Sequence, residues 1–67
     1  MLRESDAYQV ARMMIDRHGE QAIVAAARRA DEAIAVEDQA DYANWRRIIR
    51  AIGELQRRRR RKGERLN

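Results

Sequence analysis

Apolar residues recur three and four positions apart along most of the chain, the spacing that lines one face of an α-helix. Ala7, Val10 or Ala11, and Met14 form a first stripe, widened by Met13 and Ile15. Ser5 or Asp6 suits the N-cap, where a side-chain oxygen accepts from the free N–H groups of the first turn. Gly19, directly after His18, suits a left-handed stop. These signals predict a first helix over about residues 6–18. Ala22, Ile23, Ala26, Ala27, Ala30, Ala33 and Ile34 predict a second, over about 20–36, with Arg28, Arg29, Asp31 and Glu32 on its outer side. An apolar face made mostly of Ala removes little area from water but lets a neighbouring helix approach closely.

The Glu37-Asp38 pair reads as a turn, and Asp38 followed three residues later by Asp41 marks the next N-terminus. The third helix is the longest, about 39–62, or roughly 36 Å at 1.5 Å per residue. At about 100° per residue, Trp45, Ile48, Ile49, Ile52 and Leu55 fall on one side. Arg46, Arg50, Arg57 and Arg61 fall nearly opposite. Gly53 interrupts the helical pattern at a cost of about 1 kcal/mol against Ala, which suggests a close crossing near Ala51 and Gly53. Beyond Gln56 the apolar pattern stops. The chain therefore divides into a helical domain, 1–56, and a basic extension, 57–67. Five consecutive Arg repel one another, so the last turns are expected to fray and Gly63 to Asn67 to be disordered.

Length limits what these helices can bury. With 67 residues and no Pro, the chain is one small all-α domain with a thin core. Domains of this size commonly need a further source of burial, and the absence of Cys removes disulfides and thiolate metal sites. A helical homodimer fills that need, with Trp45, Ile48, Ile49, Ile52 and Leu55 shared between core and interface. No apolar run approaches a membrane span and the first residues lack the pattern of a signal peptide, so a cytoplasmic protein is expected. Using the stripe of helix three on a lipid surface would strip the other helices of their largest packing partner.

Charge changes the picture more than size does. Residues 1–45 hold five Arg against nine Asp and Glu, net −4, whereas residues 46–67 hold nine Arg and one Lys against two Glu, net +8. Such asymmetry points to a polyanionic partner or to an acidic protein surface. Guanidinium groups bond phosphate in bidentate fashion and stay charged at any relevant pH. Arg57, Arg58, Arg59, Arg60, Arg61 and Lys62 are therefore the main candidates for nucleic-acid or polyanion binding, continued by Arg46, Arg47 and Arg50. The plain alternative is a solubilising tail on a structural or regulatory protein-interaction module.

Other chemistry finds little support. A helix-turn-helix would place Gln39 and Asn44 near bases but Asp41 near phosphate. Single-strand stacking needs exposed aromatics, and Trp45 belongs to the apolar face. His18 has neither a second His nor a Cys to share a metal with, and its place before Gly19 suits a helix C-terminus. With one Ser, no Thr and three scattered Gly, neither a nucleophilic site nor a phosphate loop is expected. No catalytic residue, metal or cofactor is assigned.

Met14-Ile15-Asp16-Arg17-His18-Gly19, then Ala26-Ala27-Arg28-Arg29-Ala30-Asp31-Glu32, then Trp45-Arg46-Arg47-Ile48-Ile49-Arg50-Ala51-Ile52 together resemble a group of short bacterial helical proteins with no assigned activity, over about residues 7–56. The resemblance implies a helical fold and a Gly-Asp turn before the last helix, where this chain has Glu37-Asp38.

Overall fold

The computed structural model of the chain describes residues 3–64, with side chains described from Arg3 to Arg58. The described residues form helix α1 (Glu4–His18), a 3₁₀ turn (Gly19–Gln21), helix α2 (Ala22–Ala35) and helix α3 (Gln39–Glu64). No strand occurs among them, and the fold is all-α.

α1 starts two residues before the expected point. Its N-cap is Arg3, in extended conformation, and the backbone N–H of Arg3 donates to Asp6 Oδ2 at 3.4 Å. Asp6 thus acts from inside the first turn, where its charge and that of Glu4 also favour the positive end of the helix. Ser5 and Asp6 lie within the helix, not at its cap. Gly19 does end α1 with a positive φ, but its ψ of −127° takes it outside the left-handed helical region. That combination opens the 3₁₀ turn instead of a simple left-handed stop, and it suits a residue without Cβ.

α2 closes on two crossed backbone bonds. The N–H of Asp38 donates to the Ala33 carbonyl at 2.8 Å and that of Glu37 to the Ile34 carbonyl at 3.0 Å. This is the Schellman pattern, which asks its C′ residue for a left-handed backbone. That residue is Glu37, at φ 57°. Asp38 then caps α3 as expected, its Oδ1 accepting from the N–H of Asp41 at 3.0 Å. So tight a connection makes α2 and α3 an antiparallel hairpin.

α3 packs against both other helices, and α1 and α2 touch each other less. The phenol of Tyr8 reaches Glu54 and the carbonyl of Gly19 reaches Gln56. Tyr8 near the start of α1 and Gly19 just after its end thus both meet the stretch of α3 at Glu54 and Gln56. Seven of the eleven buried hydrophobic residues are Ala, and the four supplied by α2 are Ala22, Ala26, Ala30 and Ala33. Small side chains let the axes close up, and the bulk comes from Met14, Ile15, Ile48 and Ile52. Ile23 and Ile34, placed by their spacing on the inner face, point outward and are 36% and 54% exposed. Met13, grouped with the first stripe, is 46% exposed.

At the close crossing expected near Ala51 and Gly53, Ala51 is buried in the core, but Gly53 takes no part. A Cβ built there meets nothing within 4 Å, so no packing demand explains the glycine. α3 also runs to Glu64, which makes Gly63 and Glu64 helical and not disordered. Arg65, Leu66 and Asn67, expected to be disordered, lie outside the described residues.

Candidate functional site

α3 carries the cationic candidates because its apolar side is consumed by packing. Ile48 and Ile52 are buried at 4% and 0% exposure. Trp45, Ile49 and Leu55 are half-buried against the same core. Ile48 and Ile52 are thus enclosed within the chain and offer no area to a partner, whereas the other three retain some. Fixing this side inward turns the opposite side of the helix to solvent, where Arg46, Arg47, Arg50, Arg57 and Arg58 are exposed.

These arginines are not equivalent. Arg46 lies 5.8 Å from the centre of the Tyr42 ring and donates from Nη1 to the Tyr42 hydroxyl at 3.0 Å. Stacked in this way, its guanidinium is partly ordered before any ligand arrives. Arg47 is exposed and has an interaction of its own within the chain. Arg58 donates from Nη2 to Glu54 Oε1 at 3.1 Å, and the Tyr8 hydroxyl donates to Glu54 Oε2 at 2.5 Å. Donation to this carboxylate is the main reason the Tyr8 hydroxyl is raised above its usual value of 10.0, with burial and the charges of Glu54 and Glu4 adding and Arg58 opposing.

The Arg58–Glu54 pair is one helical turn apart, and the Arg58 side chain is still 69% exposed. Pairs of this kind contribute only a few tenths of a kcal/mol, so a phosphate can displace the carboxylate at little cost. The side chains of Arg59, Arg60, Arg61 and Lys62 lie outside the described residues, although the backbone that carries them is helical. Among the described side chains, the last hydrogen bond from α3 to another element is that from Gln56 Nε2 to the Gly19 carbonyl, 3.2 Å long. Residues 57–64 continue the helix past that point for roughly 12 Å.

A second feature was not legible in the sequence. α1, α2 and Trp45 of α3 enclose an open groove of about 760 Å³. α1 contributes Val10 and Met13 to its lining, α2 contributes Val24 and α3 contributes Trp45. Arg17 of α1 and Arg28 and Arg29 of α2 line it as well. His18, the last residue of α1, also lines it, and no group of three or more His, Asp or Glu among the described residues is placed to hold a metal ion. The sequence placed Arg28 and Arg29 on the outer side of α2 but gave no signal that Val24, Met13 and Trp45 gather beside them. No described helix is long and apolar enough to cross a membrane. Comparison with protein-family models, curated proteins and solved structures finds no match to this chain.

Proposed function

We propose that this protein is a non-enzymatic helical binding module that engages nucleic acid, or another polyanion, through the arginine-rich end of α3. The observation that carries the reading is the continuation of α3 beyond Gln56, its last described hydrogen bond to another element, through the run Arg57 to Lys62. A helical backbone spaces these cations regularly, with Arg50, Arg46 and Arg47 further along the same rod. Phosphate contacts of this kind confer attraction without base readout, so little sequence preference is expected. Labelled duplex and single strand, titrated at two salt concentrations, should bind the full chain far more tightly than a chain ending at Gln56. Equal affinity of the two chains would remove the proposal.

Self-association belongs to the same reading. A core this rich in Ala buries little area, and Ile23, Ile34 and Val36 remain 36%, 54% and 74% exposed on and beside α2. Pairing two copies through these residues, helped by the half-buried Ile49 and Leu55, supplies the missing burial. Light scattering at micromolar concentration should give twice the chain mass, and Ile23→Gln with Ile34→Gln should return it to one. A monomer mass for the unaltered chain would contradict the dimer.

The exposed apolar residues also favour a second reading, a structural or regulatory protein-interaction module whose basic tail is solubilising. Failure to bind any nucleic acid at low salt, with folding intact, would favour it.

A further inference from the structure

The groove between α1 and α2 separates charge in a way that the composition of this part of the chain does not. Residues 1–45 are net acidic, with nine carboxylates against five arginines. Yet only one of those carboxylates, Glu32, lines the groove, against three of the arginines and His18. Arg17, Arg28 and Arg29 make no ion pair among the described residues, so their charge is left unpaired in the groove. Among the apolar lining residues Met13 and Val24 are 46% and 47% exposed, and Trp45 is only half-buried.

We infer that this groove docks an amphipathic helix of a partner protein, one whose apolar stripe is flanked by Asp or Glu. The shape fits: two helices that touch little, with a third beneath, leave the place of a fourth helix of a bundle. Helices bound in such grooves use apolar anchors at i, i+3, i+4 and i+7, and Met13, Val24 and Trp45 provide the matching surface. Methionine adapts to anchors of different shape. Carboxylates beside that stripe would meet Arg17 of α1 and Arg28 and Arg29 of α2. An open trough of this kind suits a helix better than a small molecule, which needs enclosure over most of its surface. The inference does not depend on polyanion binding by α3.

The experiment uses the full chain and the emission of Trp45, the sole tryptophan, as a reporter inside the groove. Three Trp-free synthetic peptides are titrated: a helical peptide with an apolar stripe flanked by Glu, the same stripe flanked by Lys, and a scrambled form of the first. The Glu-flanked peptide should shift the emission saturably, and the other two should bind at least about tenfold more weakly, a difference of about 1.4 kcal/mol. Scrambling matters because the arginine end of α3 would attract any acidic peptide, whatever its pattern. Arg28→Glu combined with Arg29→Glu, and separately Val24→Asp, should each weaken the Glu-flanked peptide about tenfold or more while helicity by circular dichroism is unchanged. These positions are exposed, so the variants should fold. Equal binding of the scrambled peptide, or no effect of either variant, would overturn the inference. A self-association of the chain abolished by Val24→Asp would also overturn it, by putting a second copy in the groove.

Discussion

Glu37 and Gly53 occupy each other's natural places. The left-handed backbone at Glu37 brings its Cβ close to the following carbonyl, at a cost of about 1–2 kcal/mol that glycine escapes. Gly53 sits within a helix where alanine would be better by about 1 kcal/mol and where a Cβ meets open space. Glu37→Gly and Gly53→Ala should therefore each stabilise the chain by about 1 kcal/mol in urea denaturation. Being well separated, they should add. A loss of stability at either position would show that the backbone or the packing there is misdescribed. Asp38 was legible in the sequence because an N-cap needs a short acceptor and the chain offers one at the right distance from the next stripe. The left-handed state of Glu37 was not, because no local preference assigns it to glutamate. It follows from how tightly α2 must fold back onto α3.

At the scale of elements, hydropathy located the helices but misplaced part of their faces. α2 came out on the right stretch of chain, yet its inward side is made of Ala22, Ala26, Ala30 and Ala33, while Ile23 and Ile34 face out. Spacing alone admits either set. What decides is the closeness of α3, which leaves room for a methyl group and not for a branched chain, and that distance is a property of two helices together. Enlarging the inner face should be costly. Ala26 is 0% exposed, and Ala26→Leu should lose about 2 kcal/mol or more, since overpacking forces neighbouring side chains off their rotamers. A neutral result in thermal or urea denaturation would mean that the α2–α3 contact is loose. α3 itself was the most legible element: its apolar and cationic sides alternate with one helical period across five large residues, so Ile48 and Ile52 could be placed in the core from the sequence.

The whole molecule combines a narrow core with two charged surfaces of different origin. The cationic end of α3 could be read from the sequence because its residues are adjacent in the chain. The groove could not, since its lining comes from three helices and forms only when they pack together. Its arginines on α2 were expected on the outer side, as they are, but nothing in the sequence sets them beside Met13 and Trp45. Function in this account rests on the division of α3 between a side that packs and a side that attracts anions. The most direct test is the salt dependence of duplex binding by the full chain and by a variant in which Arg57 to Lys62 are all replaced by Gln. Six neutralised phosphates predict that log K falls with log salt at a slope of roughly −5 for the full chain, and the variant should lose nearly all of that slope together with its affinity. A shallow slope for the full chain, or the same slope for both, would contradict the account.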